Sequence, residues 1–171
     1  MGSGDEVVDI VDMDDKAVGT AVRRDVRAQN LLHRATYIVV RNSEGKFAVQ
    51  KRTTIKDYCP GYFDPVTGGV VSAGESYEVG AQRELEEEIG AAGATPKFCF
   101  KFLYEDDVLR SWCGVFDVLY DGPVTLQESE VESLHWMTLE EIYARRDAGE
   151  LFTPDGMVAL DKFRQWASKA T

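Results

Sequence analysis

The chain has 171 residues, of which 44% are hydrophobic and 11% aromatic, and its formal net charge is −11. The length and composition predict one enzyme-sized domain with a sizeable core. The negative charge argues against nucleic-acid backbones as the main partner, and it means that a phosphate ligand needs local cations or a metal. There is no bilayer-length apolar run, no signal peptide and no CxxC pair among the three cysteines, so we expect a cytoplasmic protein that does not enter membranes.

The first 65 residues alternate apolar runs with turn signals. Val7–Val11 and Ala17–Val22 flank an acidic segment and predict a β-hairpin. The pattern then predicts a short helix, two strands joined by a turn, and a loop, which are Arg24–Leu32, Thr36–Arg41, Lys46–Lys51 and Thr53–Pro65. We expect a single domain over residues 6–168 with the hairpin as an N-terminal extension, and a disordered tail or cloning remnant over residues 1–5.

The second half of the chain carries explicit helix boundaries. Ser76 is an N-cap residue and Gly90 is a natural residue for the end of a helix, so a helix is predicted between them. Two strands, a helix opened by a capping box and a helix with proline in its first turn follow, which are Pro96–Tyr104, Ser111–Tyr120, Thr138–Asp147 and a segment that begins at Thr153-Pro154-Asp155. One helix amid strands, with helices at the end, predicts an α+β fold, an α/β/α sandwich with a mixed β-sheet.

Three glutamates of the predicted central helix share one face. At about 100° per residue, Glu84, Glu87 and Glu88 fall within an arc of about 100°, while Glu86 points away from them. Such like charges repel by about 0.2–0.5 kcal/mol per pair, and the helix dipole disfavours anions in the last turns. A hard cation such as Mg²⁺ or Mn²⁺ would reverse this penalty, and Gly80 in the same arc leaves room for close approach. The alternative is a solvated acidic helix face.

The helix belongs to a longer pattern of fixed positions. Gly69, Glu75 and the run Arg83-Glu84-Leu85-Glu86-Glu87-Glu88-Ile89-Gly90 match eight of nine positions of a motif, and Ala91, in place of a larger aliphatic residue, is the mild departure. The pattern resembles the Nudix box of the Nudix hydrolases, which cleave diphosphates linked to another moiety. The resemblance implies the Nudix fold, a divalent metal and a small-molecule diphosphate as substrate.

The same resemblance implies roles for single residues. The implied metal ligands are three carboxylates and, as a candidate, one backbone carbonyl, which are Glu84, Glu87, Glu88 and Gly69. Arg83 is expected to pair with Glu75 and hold the loop against the helix, and its loss would distort the metal site. We therefore count Arg83 and Glu84 among the catalytic residues as well.

The box does not identify the catalytic base, because Nudix hydrolases take it from a glutamate either outside or inside the box. We favour Glu130, in the acidic segment 127–132, with Glu128 as the second choice. If neither is the base, Glu84 or Glu88 is the next candidate. A solvated acidic loop is the alternative interpretation of this segment.

A small basic cluster precedes the irregular loop. Lys51, Arg52 and Lys56 lie at a predicted strand end, where binding residues often occur, and arginine suits bidentate phosphate recognition. We predict that they contact the substrate phosphates, with a role in surface solubility as the alternative. Whether the chain is a monomer or a homodimer stays open.

The flanking segments resemble the branch of the family that includes isopentenyl diphosphate isomerase and uncharacterised bacterial Nudix hydrolases. The likeness is carried by His33-Arg34-Ala35-Thr36-Tyr37-Ile38 and Pro60-Gly61, among other segments. Those isomerases have a catalytic cysteine just before the first glycine of the box and a histidine just after it. Here Gly68 and Val70 stand there, and neither can protonate an alkene. We therefore favour hydrolysis over isomerisation. We also favour it over a non-catalytic binding module, because such a module would be expected to have lost glutamates from this run.

Overall fold

Nine β-strands and four α-helices make up the part of the chain that the computed structural model describes, residues 3–169. The strands are β1 (Val7–Val11), β2 (Ala17–Val22), β3 (His33–Arg41), β4 (Phe47–Arg52), β5 (Phe63–Asp64), β6 (Thr67–Val70), β7 (Lys97–Glu105), β8 (Arg110–Leu119) and β9 (Val131–Met137). The helices are α1 (Arg23–Gln29), α2 (Tyr77–Ile89), α3 (Leu139–Asp147) and α4 (Pro154–Lys169).

Seven of the strands form one mixed sheet. Its main path runs β5-β4-β3-β8-β7, while β6 also pairs with β3 and β9 also pairs with β4. β3 and β8 are parallel over nine residue pairs, from His33 opposite Ser111 to Arg41 opposite Leu119, and the other pairs are antiparallel. β1 and β2 form a separate two-stranded hairpin.

The central strand β3 is apolar on both faces, as expected of a strand covered on both sides. Tyr37 and Val39 join a buried cluster with residues of α3 and α4, whereas Ile38 and Val40 join another with residues of α2. The sheet therefore lies between α2 on one face and α3 and α4 on the other. The predicted α+β fold, an α/β/α sandwich with a mixed sheet, is confirmed. No helix among residues 3–169 is both long and apolar enough to cross a membrane.

Several boundaries differ from the sequence prediction. The first helix ends at Gln29 instead of Leu32, because Asn30 adopts the left-handed conformation with φ of 49° and caps it. The strand predicted from Thr36 begins at His33. The strands β5, β6 and β9 were not predicted, because β5 lies in the expected loop, β6 is rich in glycine and β9 contains several polar residues. Hydrogen-bonded pairing with neighbouring strands specifies them instead.

The N-terminal extension packs against the sheet next to β6. Val8 and Val26 form a small buried cluster with Val70, so β1 and α1 are anchored to the strand that leads into α2. Ser3–Asp5 form a 3-10 turn, and Asp5 is ion-paired with Arg24. The disordered tail or cloning remnant over residues 1–5 stays a prediction. Met1 and Gly2 lie outside the described residues. The single domain over residues 6–168 stays a prediction.

The approach of β6 to β3 requires glycine at position 68. A Cβ atom there would lie 2.0 Å from the carbonyl oxygen of Thr36, and the φ of Gly68 is +155°. No side chain fits this backbone, so the position that holds a cysteine in the isomerases is closed to one here. Gly69, the first residue of the box, follows directly and runs beneath α2.

Candidate active site

A cleft of about 640 Å³ collects side chains from both the domain and its N-terminal extension. Its volume lies in the range of small-molecule sites. Eight of the residues predicted from the sequence line it, which are Gly69, Arg83, Glu84, Glu87, Glu88, Arg52, Lys56 and Glu130. Glu75 lies behind Arg83, whereas Lys51 and Glu128 are not among the lining residues.

Arg83 binds the loop that precedes α2 and two carboxylates of α2. Its Nε and Nη2 donate to the two carboxylate oxygens of Glu75 at 2.9 and 3.0 Å, and Nη2 also donates to the carbonyl of Val70 at 3.3 Å. Nη1 donates to Glu84 at 3.0 Å and to Glu87 at 3.3 Å. These hydrogen bonds lower the pKa of Glu75 and raise that of Arg83, so both remain charged.

Glu88 is a buried carboxylate of the cleft and is only 7% exposed. Its Oε2 accepts two long hydrogen bonds, from the Gly68 N–H at 3.3 Å and from Gln50 Nε2 at 3.4 Å. Burial, and then the negative charge of Glu84, raise the pKa of Glu88 to about 8. Burial raises the pKa of Glu84 as well. The α2 face thus holds two desolvated carboxylates that repel each other.

The carboxylate face fits a hard divalent cation by its donor chemistry. Glu88 is buried with only weak neutral partners, and the missing Cβ of Gly69 lets Glu84 lie against the backbone, where a Cβ would be 2.8 Å from its Oε1. Among residues 3–169, however, no three acidic, histidine or cysteine side chains converge as a ready ligand set. Arg83 draws Glu84 and Glu87 toward itself while Glu88 points to Gln50 and Gly68, so binding would require Glu84 and Glu87 to turn.

Two basic residues predicted to contact phosphate, Arg52 and Lys56, line the cleft. Arg52 Nε donates to the Tyr58 carbonyl at 3.1 Å, and its Nη1 lies 3.6 Å from Asp64 Oδ2. Lys56 is ion-paired with Glu130. Burial, and then the positive charge of Arg52, lower the pKa of Lys56 to about 8.

Lys51, predicted to contact phosphate, does not lie in the cleft. Successive residues of a strand point to opposite faces, so Gln50 and Arg52 face the cleft side while Lys51 faces away. Its Nζ lies 3.5 Å from Glu132 Oε2 and 5.8 Å from the centre of the Phe63 ring. The alternation of the strand therefore separates Lys51 from Arg52, although the two cations are neighbours in the sequence.

Glu130 and Glu128 are separated by a turn. The backbone N–H of Gln127 donates to the Glu88 carbonyl at 3.1 Å, and that of Thr53 donates to the Glu130 carbonyl at 3.3 Å. The acidic segment therefore bridges the end of α2 and the loop that carries Lys56. Because residues 128–130 form a turn, Glu128 is exposed while Glu130 faces the cleft. The two candidate bases therefore differ in their access to the cleft.

A buried polar network beside Arg52 was missed from the sequence. Asp155, 7% exposed at the start of α4, accepts hydrogen bonds from Tyr37 at 2.7 Å and from Tyr58 at 2.9 Å. Burial raises the pKa of the neighbouring Asp64 to about 6. The Thr153-Pro154-Asp155 sequence gave only a helix-start signal, and Asp64 fell within a predicted loop, so nothing local pointed to a shared site.

The comparisons with known proteins agree on the family. A model described as the NUDIX domain matches residues 31–155. The uncharacterised Nudix hydrolase YfcD of Escherichia coli K12 is 46% identical over 155 residues, which cover 91% of this chain and 84% of the relative. This protein belongs to the Nudix hydrolase family, and it is a pyrophosphohydrolase.

Solved structures share the fold as well. The crystal structure of DR0079 from Deinococcus radiodurans has a TM-score of 0.79 and 26% identity, covering 91% of this chain and 98% of that one. The NUDIX domain of Shewanella oneidensis NrtR, in complex with ADP ribose, has a TM-score of 0.63 and 15% identity, covering 78% and 86%. At that identity the second likeness shows the fold alone.

The buried Glu88 makes the stability of the metal-free protein depend on pH. Its folded pKa of about 8 lies above the ordinary value of 4.5, so between these values the folded chain binds more protons than the unfolded chain. The free energy of unfolding should therefore fall as the pH rises from 6 to 8. We expect Glu88→Gln to flatten this slope, because the amide mimics the protonated acid, in urea denaturation with EDTA.

Glu86→Gln is the matched control for this prediction. Glu86 lies on the same helix but is exposed, so its replacement should leave the slope unchanged. An equally steep fall in the Glu88→Gln variant would show that another group titrates in this range.

Proposed function

We propose that this protein uses Mg²⁺ or Mn²⁺ to hydrolyse the diphosphate linkage of a nucleoside diphosphate linked to another moiety, or of a similar compound. The observation that carries the proposal is that the three carboxylates of the α2 face share one cleft with Arg52 and Lys56. Carboxylates supply hard oxygen ligands for a divalent cation, and the cations supply partners for phosphate oxygens.

The carboxylate face would hold the metal. Glu84, Glu87 and Glu88 are the proposed ligands, with the Gly69 carbonyl as a candidate fourth. When bound, the divalent cation would neutralise phosphate charge and activate water. Arg83 would act from behind this face, because its pairing with Glu75 leaves Nη1 to orient Glu84 and Glu87.

Glu130 is the proposed general base. A water molecule attacks phosphorus, the bond from that phosphorus to its bridging oxygen breaks, and the proton of the water passes to the Glu130 carboxylate. The ion pair with Lys56 supports this role because it fixes the Glu130 carboxylate at the cleft. Lys56 and Arg52 would bind the phosphate oxygens as the substrate enters.

Other observations support a small nucleotide-like substrate. The Shewanella NrtR domain, which shares this fold, was crystallised with ADP ribose, a nucleoside diphosphate linked to a sugar. The cleft volume suits a ligand of that size. The cytoplasmic location is part of the proposal and is supported by the three free thiols of Cys59, Cys99 and Cys113.

The alternative activities are less well supported. Isomerisation needs an acid at the position just before the first box glycine, and the backbone of Gly68, which stands there, leaves no room for a side chain. A module kept only for binding has no need of buried carboxylates that repel each other, yet Glu84 and Glu88 are retained at an energetic cost.

Hydrolysis should depend on the metal and on the carboxylate face. In a panel of nucleotide sugars, dinucleotides, coenzyme derivatives and isoprenoid diphosphates, we expect phosphate or nucleotide release with Mg²⁺ and none with EDTA. The Glu87→Gln/Glu88→Gln double variant should lose this release while it stays folded, because the substitutions relieve charge repulsion. Glu86→Gln should retain it. Full metal-dependent turnover in the double variant would exclude these residues as ligands.

The role of Glu130 is tested by comparison with its exposed neighbour. Glu130→Gln should lower kcat by about 10²–10⁴-fold, the usual effect of a general base, with little change in substrate affinity. Glu128→Gln should behave as the wild type in the same steady-state assay. If Glu130 served only to pair with Lys56, the variant would change KM and leave kcat intact. If both variants kept wild-type kcat, the base would lie within the box.

A further inference from the structure

Helix α1 contributes to the cleft although it precedes the residues that match the NUDIX domain, 31–155. Arg23 and Arg27 are four residues apart, so they lie on one face of the helix, and both line the cleft. Val26 between them is buried against Val8 and Val70 and fixes the helix to the domain. Arg24 does not line the cleft and is 64% exposed.

The two arginines are poorly satisfied by the protein itself. The side chain of Arg23 is 16% exposed and that of Arg27 is 27% exposed, and the Nε atom of each is buried with no hydrogen-bond partner among residues 3–169. The carboxylates near them, Glu6 and Asp57, lie 4.0 and 3.9 Å away, too far for hydrogen bonds. A buried donor without a partner is costly unless a ligand satisfies it.

The arginines of α1 also lie close to other positive charges. Burial and the positive charges of Arg23 and Arg52 lower the pKa of Arg27. Burial and the positive charges of Arg52 and Arg23 act in the same direction on Lys56. One cleft therefore holds four cations that repel one another, in a chain whose net charge is −11. These cations are Arg23, Arg27, Arg52 and Lys56. Their mutual repulsion would be relieved by an anion bound among them.

We propose that Arg23 and Arg27 bind a phosphoryl group of the substrate, so that the N-terminal extension completes a phosphate subsite that the domain lacks by itself. The ligand class is a phosphoanion with at least two phosphoryl groups, since Arg52 and Lys56 supply a neighbouring pair of cations. Guanidinium groups with free N–H donors match phosphate oxygens in geometry and charge. The identity of this ligand as the hydrolysed diphosphate rests on the proposed function.

The subsite is tested without catalysis by titrating the metal-free protein with inorganic pyrophosphate in EDTA, using isothermal calorimetry. We expect the wild type to bind, and the Arg23→Gln/Arg27→Gln double variant to bind at least tenfold more weakly. Arg24→Gln is the matched control, because it removes the same charge from the same helix outside the cleft, and its affinity should stay within twofold. Double-variant affinity equal to that of the wild type, an equal loss in Arg24→Gln, or no binding by the wild type would overturn the proposal.

A second measurement separates this subsite from a merely structural role. With a substrate found in the Mg²⁺ panel, the double variant should raise KM at least tenfold with kcat within threefold of the wild type. Arg23→Lys and Arg27→Lys keep the charge and should recover part of the affinity if the Gln variants fold poorly, whereas no recovery would contradict the proposal. If no panel compound is hydrolysed, the proposed function fails while the pyrophosphate titration still decides on the subsite.

Discussion

The site depends on the cost of burying carboxylates on α2 and on the arginine that holds them in place. Glu88 is buried and Glu84 half-buried against β6, where the absence of side chains at Gly68 and Gly69 lets the helix approach the backbone. Arg83 offsets part of the repulsion through Glu84 and Glu87, and Glu75 fixes Arg83 from behind. The spacing of the box thus sets the distances between charged side chains, because each of these side chains is held in position by another.

The other charged side chains of the cleft are also incompletely paired with opposite charges. Glu88 has no ion pair among residues 3–169, and burial raises its pKa to about 8, so a divalent cation would have to compete with a proton for this carboxylate. Arg52, Arg23 and Arg27 show the complementary imbalance, because their nearest carboxylates lie 3.6–4.0 Å away, whereas Lys56 is paired with Glu130. A metal and a phosphoanion together would satisfy both groups, which is what a diphosphate hydrolase requires.

The sequence predicted the fold class and the carboxylate face because both depend on local signals. Ser76 and Gly90 bound α2 as expected from their capping chemistry, and helical geometry put Glu84, Glu87 and Glu88 on one side. What it missed depends on pairing between distant segments. The glycine-rich β6 is a strand because it pairs with β3, and the direction of Lys51 follows from the alternation of β4.

The remaining errors have the same physical origin. Glu128 and Glu130 differ in their access to the cleft because they lie in a turn, which hydrogen bonds with α2 and Thr53 hold in place and which no local sequence signal indicates. Arg23 and Arg27 gave no signal in the sequence, since a short helix with three arginines resembles any solvated surface helix. The packing of Val26 against Val8 and Val70, which are distant in sequence, brings that helix to the cleft.

Turnover in ¹⁸O-labelled water tests the central claim, that water attacks phosphorus in this cleft, most directly. With a substrate identified in the presence of Mg²⁺, mass spectrometry of the products should find one ¹⁸O atom in a phosphoryl product. Label only on a carbon-linked hydroxyl group, or an unlabelled product with a rearranged double bond, would contradict the account.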